Sequence, residues 1–160
     1  KVKFKLDDLL SNIVHTYYKE SMNSVASKKG DVSVLFEPPN ENIVVEADKE
    51  RISQVVRNIL SNALEFTNEG NVLVTLRKER QQEKERAQIA VVTVTDTGCG
   101  IDSAVMPKIF EKFVTRSDKG TGLGLFVSKS IIQAHEGEIW VQNNTKGQKG
   151  ATFCFTLPCK

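Results

Sequence analysis

Three amide side chains share one face of a predicted helix. Gln54, Asn58 and Asn62 stand four residues apart, so they lie one above another along the same side of that helix. Asparagine in a helix interior is less favourable than alanine by up to about 0.7 kcal/mol, so something should compensate for this row. An exposed polar face and a binding site both explain the pattern, and the row alone favours neither.

A carboxylate next to glycines forms the second candidate site. Asp96 ends an apolar strand and opens the sequence DTGCG. A carboxylate held there can accept hydrogens from the exocyclic amino group of adenine, whereas it would repel the oxygen that guanine presents. Gly98 and Gly100 would let the backbone approach a base closely. Taken alone, the motif is more often a tight turn.

A glycine-rich stretch, GTGLGL, spans residues 120–125 and opens another predicted helix. Free backbone N–H groups and the dipole at a helix start favour phosphate binding. The stretch lacks the Lys and Ser/Thr of a Walker loop, and its spacing and position differ from those of a dinucleotide fingerprint. A flexible loop is the alternative explanation.

A short polar segment, residues 114–119, is predicted to act as a lid. Phe110 and Phe113 in KIFEKF would anchor it on one side, and the glycines bound it on the other. Arg116 and Lys119 could reach a terminal phosphate from this segment, although two exposed surface cations explain them equally well.

The elements that must position these motifs follow from periodicity, capping and turn residues. The predicted elements are a helix at 7–27 that stops at Gly30, strands at 32–36 and 43–46, a helix at 48–67 capped by Asp48, strands at 72–78 and 89–95 joined by a charged hairpin tip, a short helix ending in KIFEKF, a helix at 123–135, and strands in GEIWVQN and ATFCFTLP. This order predicts an α+β fold, a two-layer α/β sandwich whose mixed, mostly antiparallel sheet of about five strands is covered on one face by about three helices.

Composition excludes several classes of partner. The chain has 160 residues, which predicts one domain, and its 22 basic residues are interleaved with 20 acidic ones, so we expect no nucleic-acid binding. No apolar run approaches the roughly 20 residues of a membrane span, so we expect no direct membrane contact.

The three cysteines lack zinc or disulfide spacing, which favours a cytoplasmic setting. The missing initiator Met suggests a domain of a longer protein, which could itself be membrane-anchored.

In this order and spacing, the motifs resemble the Bergerat-type ATPase domain of histidine kinases, gyrase, mismatch-repair ATPases and heat-shock chaperones, and most closely that of sensor histidine kinases. RISQVVRNILSNALEFT is similar to the family's N box, DTGCGI to its first glycine box and KIFEKF to its F box. GTGLGLFVSKSIIQAHEG and GATFCFTLP are similar to its second glycine box and closing strand. The resemblance covers nearly the whole chain.

The resemblance implies a role for each motif. Asn58 would coordinate the Mg²⁺ that bridges the phosphates, Asn62 would contact the nucleotide, and Gln54 would help to position the reaction. Asp96 would bind the adenine amino group, and Thr152 would help to hold the base through water. The other nucleotide-binding positions implied by the match are Phe66, Gly98, Gly100, Ile101, Arg116, Lys119, Gly120, Thr121, Gly122, Leu123, Gly124 and Leu125.

The implied reaction transfers the γ-phosphoryl group of ATP to a histidine, a step that depends on positioning and on charge neutralisation by Mg²⁺. Neither histidine of the chain fits the acceptor, because His15 is followed by Thr16 instead of an acidic residue and His135 ends the helix after the second glycine box. The acceptor is therefore expected on dimerisation helices of the parent kinase that precede Lys1, with a response regulator downstream.

Two alternatives stay open, and a departure from the family pattern supports the first of them. The family often has a lysine three residues after the second N-box asparagine, where this chain has Glu65. A carboxylate near a polyanion supports a nucleotide-sensing module that has lost transfer activity, although Asn58 argues against it. A serine kinase or conformational ATPase of the same superfamily is the other alternative.

Overall fold

The computed structural model describes residues 1–23, 32–81, 87–145 and 147–160. The elements in chain order are β1 (Val2–Lys5), α1 (Leu6–Asn23), β2 (Val32–Glu37), β3 (Val44–Ala47), α2 (Lys49–Glu65), β4 (Gly70–Arg80), β5 (Gln88–Asp96), a 3₁₀ turn (Met106–Lys108), α3 (Gly124–Ala134), β6 (Ile139–Asn143) and β7 (Ala151–Pro158). The predicted Gly30 stop and the middle of the predicted hairpin tip lie outside the described residues.

The main sheet has five strands in the order β2-β4-β5-β7-β6. Among the strands of the described residues, only the β2–β4 pair of this sheet is parallel; β5 runs antiparallel to β4 and β7, and β6 runs antiparallel to β7. The predicted mixed, mostly antiparallel sheet is therefore confirmed. Strand β1, which was not predicted, pairs with β3 in a separate two-stranded sheet.

The core lies between the sheet and the three helices. Strand β5 alternates so that Ala90, Val92 and Val94 enter the core, while Thr93 and Thr95 belong to the opposite face of the sheet. Helix α2 contributes the fully buried Ile52, Val55, Val56, Ile59, Leu60 and Ala63 to the same core. Burial of one stripe of α2 orients its other side, which carries the amide row, away from the packed interior.

Helix α2 begins at a fixed point. The Asp48 side chain caps it by accepting a hydrogen bond from the Arg51 N–H at 3.1 Å, as predicted. The Asp48 N–H in turn donates to Nε2 of His135 at 3.0 Å, and Nδ1 of His135 bonds to the carbonyl oxygen of Ile131 at 2.8 Å. His135 thus joins the end of α3 to the start of α2.

The segment that ends in KIFEKF does not form the short α-helix that was predicted for it. Its only helical part is the 3₁₀ turn, after which the chain runs in turns. Phe110 packs edge-on against Phe153, with ring centroids 6.4 Å apart, whereas Phe113 is 73% exposed and has a positive φ of 64°. Phe113 is therefore not the predicted aromatic anchor; its backbone N–H instead donates to the Gly122 carbonyl oxygen at 2.9 Å.

Candidate functional site

Two adjoining cavities lie where β5 ends, α2 passes and α3 begins. The smaller has a volume of about 190 Å³ and the larger about 500 Å³, and Phe66 and Arg116 line both of them. The other residues of the smaller cavity are Asn58, Ser61, Asn62, Glu65, Ile109, Val114, Thr115, Gly120, Thr121, Gly122, Gly124 and Leu125. The larger cavity is completed by Cys99, Gly100, Ile101, Asp102 and Val105.

Asp96 is a buried carboxyl group that is only half satisfied. Its side chain is 1% exposed, and its Oδ1 accepts hydrogen bonds from the N–H groups of Gly98 at 2.9 Å and Ala151 at 3.2 Å. Its Oδ2 is buried and accepts no hydrogen bond from any described residue. Leaving a buried acceptor unpaired is unfavourable by roughly 1–3 kcal/mol, so the atom is suited to a donor from a ligand.

Gly98 and Gly150, which flank Asp96, lie too close to neighbouring backbone to carry a side chain. A Cβ on Gly98 would lie 2.2 Å from the Phe66 carbonyl oxygen, and one on Gly150 would lie 1.9 Å from the Asp96 carbonyl oxygen. Asn144 fastens the same region by donating from Nδ2 to the carbonyl oxygens of Asp96 and Lys149, both at 2.8 Å. The sequence motifs assigned no role to Gly150 or Asn144. Their one sequence signal is the pair of consecutive asparagines before a glycine-containing turn.

Thr152 does not reach this carboxyl group. It pairs with Thr95, and both lie on the opposite face of the sheet from Asp96, since neighbouring residues of a strand alternate sides. The Thr152 hydroxyl donates to Oδ1 of Asn144 at 2.7 Å and contacts the Thr95 hydroxyl at 3.0 Å. Thr152 thus lies one residue away from Ala151, which does bond to Asp96. Its water-mediated contact to a base stays a prediction.

Asn58 is held in one orientation by the start of α3. Its Nδ2 donates to the Gly124 carbonyl oxygen at 3.1 Å and lies 3.2 Å from the hydroxyl of the fully buried Ser128. With the amide nitrogen committed to α3, Oδ1 is the atom that remains for a cation. Ser128 was missed by the sequence reasoning, because only the packing of α3 on α2 brings it to Asn58.

Arg116 lies inside the site. Its Nη2 donates to Oδ1 of Asn62 at 2.9 Å, its Nη1 donates to the Gly100 carbonyl oxygen at 2.8 Å, and its Cζ lies 3.7 Å from the centroid of the Phe66 ring. Burial lowers the pKa of the Arg116 guanidinium from its ordinary value, while the nearby Cys99, Asp96 and Glu65 act to raise it. The segment 114–119 thus borders the smaller cavity with Val114, Thr115 and Arg116, and Arg116 bonds across the site to Asn62.

Six predicted site residues line neither cavity; two of them, Asp96 and Gly98, belong to the hydrogen-bonded turn that precedes Cys99. Gln54 accepts a hydrogen bond from Nη1 of Arg51 at 3.2 Å, and Thr152 lies across the sheet. Lys119 is exposed, and Leu123 occupies the position before α3 without a side-chain cap. Leu123 and the glycines leave the first N–H groups of α3 available at the smaller cavity.

The donor set bears on which metal the site could hold. The described residues contain no group of three or more His, Cys, Asp or Glu side chains that could bind a metal ion. Mg²⁺ typically takes one or two protein oxygens together with phosphate oxygens and water, so the single amide oxygen of Asn58 beside a phosphate-sized cavity fits Mg²⁺. None of the described helices is long and apolar enough to cross a membrane.

Comparison with known proteins identifies the class of this domain. Residues 47–160 match the family described as histidine kinase-, DNA gyrase B- and HSP90-like ATPase. The chain belongs to this family, and it is an ATP-binding domain of the sensor histidine kinase type, as the resemblance predicted.

Three relatives place the chain more narrowly. Sensor histidine kinase WalK of Bacillus subtilis (strain 168) is 38% identical over 140 residues, which cover 84% of this chain and 22% of WalK. The catalytic domain of histidine kinase ThkA superposes with a TM-score of 0.79 at 31% identity, covering 98% of this chain and 94% of that domain. Full-length ShkA in complex with AMPPNP superposes with a TM-score of 0.74 at 25% identity, covering 99% of this chain and 31% of ShkA. The chain thus spans about a fifth of the length of WalK.

Proposed function

We propose that this chain binds Mg-ATP and transfers its γ-phosphoryl group to a histidine on separate dimerisation helices of a two-component sensor kinase. The observation that carries the proposal is the buried, unpaired Oδ2 of Asp96, which lies three residues before Cys99 in the wall of the larger cavity. The AMPPNP bound to ShkA, whose fold this chain shares, supports ATP as the nucleotide.

Asp96 would select the base. Oδ1 is held by two backbone N–H groups, so the carboxyl plane is fixed and Oδ2 is presented to a ligand. The exocyclic amino group of adenine supplies the missing donor, whereas guanine presents an oxygen in the same place, so the site should prefer ATP over GTP. Cys99, Gly100 and Ile101 form the wall of the larger cavity beside which the base would lie.

The smaller cavity would take the phosphates. Oδ1 of Asn58 would hold Mg²⁺, and the backbone at Gly120–Gly124 and the start of α3 would donate to phosphate oxygens. When bound, Mg²⁺ supplies charge neutralisation across the phosphates. Glu65 also lines this cavity and would repel the polyanion, which is the one specific observation that favours the nucleotide-sensing alternative.

The acceptor histidine would come from another part of the parent kinase. His135 is 8% exposed and uses both ring nitrogens in hydrogen bonds, so it has no nitrogen free for nucleophilic attack. His15 lies on α1 in a surface groove with β2 and lines neither of the two cavities. A response regulator would then receive the phosphoryl group. We propose that this reaction takes place in the cytoplasm, as the sequence predicted.

The experiment is a calorimetric titration of the chain with ATP and with GTP, each with and without Mg²⁺. We expect saturable binding of ATP but not GTP, loss of ATP binding in Asp96→Asn, and loss of the Mg²⁺ dependence in Asn58→Ala. The exposed positions Asp8 and Asn12 on α1 provide the matched controls Asp8→Asn and Asn12→Ala, which should bind as the unaltered chain does. Absence of ATP binding at millimolar concentration would contradict the proposal.

A second measurement addresses the transfer step. Radiolabelled γ-phosphate from ATP should appear on the dimerisation helices of the parent kinase when the chain is added, and the label should be acid-labile, as phosphohistidine is. An acid-stable label would instead support the serine kinase alternative, and ATP binding without any transfer would support the nucleotide-sensing module.

A further inference from the structure

Arg116 and Phe66 stand between the two cavities. They are the two residues that line both the smaller cavity beside Asn58 and the larger one beside Gly100. The Arg116 guanidinium lies on the Phe66 ring, at 3.7 Å from its centroid, and bridges Asn62 on α2 to Gly100 on the segment after β5. A ligand with its base in one cavity and its phosphates in the other must pass through the volume that this guanidinium fills.

We infer that Arg116 is a gate for the nucleotide: its side chain occupies the path between base and phosphates, and a nucleotide binds only by displacing it. The inference rests on the proposed function, since it takes the two cavities as the two ends of a nucleotide site. It goes further by naming the residue that competes with the ligand and the contacts for which they compete.

The contacts of Arg116 are those that a nucleotide would use. The Phe66 ring offers a flat face to a planar group, and the guanidinium is planar, as a base is. Oδ1 of Asn62 and the carbonyl oxygen of Gly100 accept its two donors and would otherwise be available to a ligand. Displacement of one side chain therefore frees three binding groups at once.

The position of Arg116 is held by charge and is not fully satisfied. The nearby Cys99, Asp96 and Glu65 act to raise the pKa of the guanidinium against the effect of its burial, and two of its nitrogens are paired with Asn62 and Gly100. Its Nε is nevertheless buried and donates to no described residue. An unpaired buried donor makes the present position of the guanidinium less favourable. Phosphate oxygens would offer it a bidentate, charge-assisted partner and so favour its displacement.

The gate makes the site discriminate among ligands by their phosphates. When the competent state is a fraction of the population, the apparent dissociation constant rises by the inverse of that fraction. Adenosine has no phosphate to pair with the displaced guanidinium, so its affinity is lowered by the full free energy of displacing Arg116. ATP regains part of that free energy through its phosphates. Arg116 therefore raises the ratio of ATP affinity to adenosine affinity.

The first test compares adenosine and ATP affinities by calorimetry in the unaltered chain, in Arg116→Ala, and in the control Arg77→Ala. Arg77 is exposed on β4 and pairs with Glu79, away from both cavities. We expect Arg116→Ala to bind adenosine at least about tenfold more tightly and to lower the ATP-to-adenosine ratio by a similar factor, since a desolvated cation–π contact corresponds to a factor of that order. Unchanged or weaker adenosine binding in Arg116→Ala, with ATP still bound, would overturn the gate.

The second test observes Arg116 directly. The NMR signal of its side-chain Nε–H, assigned by its disappearance in Arg116→Lys, should shift and lose its protection from solvent exchange when the chain is saturated with ADP. A signal that stays unchanged at saturation would contradict displacement. If neither the unaltered chain nor Arg116→Ala binds any adenine nucleotide, the proposed function fails; if nucleotide binds and the Arg116 signal does not respond, only the gate fails.

Discussion

At the scale of the residue, the site depends on a few atoms whose partners are set by distant parts of the chain. Asp96 is fixed by the N–H groups of Gly98 and Ala151, which leaves Oδ2 for a ligand, and Asn58 is fixed by Gly124 and Ser128, which leaves Oδ1 for a cation. In both cases one atom of a planar polar group is held by the protein so that the other is presented without a loss of side-chain entropy on binding.

Gly98 is expected to tolerate no side chain. The methyl group of Gly98→Ala would lie 2.2 Å from the Phe66 carbonyl oxygen, so backbone would have to move beside Asp96. We expect a loss of roughly 1–3 kcal/mol in the free energy of unfolding, measured by urea denaturation, together with weaker ATP binding. Gly124→Ala is the control for stability, since the nearest side-chain atoms to its methyl group would be those of Asn58, at 3.8–4.0 Å, which is ordinary van der Waals contact. Equal stability of the two variants would contradict the close approach at Gly98.

The cysteines are expected to differ in reactivity. Cys99 is exposed at the larger cavity, whereas burial raises the pKa of the Cys154 thiol, so less of Cys154 is thiolate at a given pH. With a thiol-specific reagent at pH 7.5, we expect Cys99 to react first and Cys154 to react faster as the pH rises through its raised pKa. Mg-ATP should slow the reaction of Cys99 only. Equal protection of both thiols by ATP would indicate a general change in the fold instead of coverage of the cavity.

At the scale of the element, the site is a junction of α2, the segment after β5 and the start of α3. The buried stripe of α2 against the sheet sets the direction in which its amide row faces. The antiparallel register of β5 with β7, seven opposed residue pairs that end at Thr95 and Thr152, brings Ala151 to the level of Asp96. Helix α3 is positioned at both ends, by Asn58 at its first turn and by His135 at its last.

His135 is predicted to stabilise this junction. His135→Ala would leave the Asp48 N–H and the Ile131 carbonyl oxygen without their imidazole partner and would open a cavity where the ring was buried. We expect a loss of about 2–4 kcal/mol in the free energy of unfolding, with ATP binding retained in the folded fraction. His15→Ala, at an exposed position on α1, should change stability by less than about 0.5 kcal/mol. Urea denaturation of both variants measures the difference.

At the scale of the whole molecule, ligand binding should raise stability because only the folded chain brings the residues of the site together, so ATP would bind the folded and not the unfolded state. Mg-ATP at 100 times its dissociation constant would stabilise the folded chain by about 2.7 kcal/mol. For a chain of 160 residues this corresponds to a rise in Tm of about 5–10 °C.

The coupling is measured by thermal denaturation with and without Mg-ATP. Asp96→Asn should lose the rise in Tm, and the surface control Asp8→Asn should keep it. A rise of the same size in Asp96→Asn would show that ATP stabilises the chain from somewhere other than the proposed site.

The sequence by itself determined the fold class, the family and the positions of the two fixed polar groups. Hydrophobic periodicity, the Asp48 cap and the glycine-containing turns are local signals, and they sufficed because neighbouring residues determine helices, strands and caps. Asp96 and the Asn58–Asn62 row were likewise recognisable, since their polarity conflicts with the apolar elements that carry them.

Only the tertiary structure decided which of these residues meet. Arg116 lies 54 positions from Asn62 in the chain, and Asn58 lies 70 positions from Ser128, so no local pattern predicts either contact. The register of β5 against β7 placed Ala151 at Asp96 and sent Thr152 to the other face, because a shift of one residue reverses the side of a strand. Phe113 is exposed while its backbone packs against Gly122, a contact between residues nine positions apart that the KIFEKF motif does not predict.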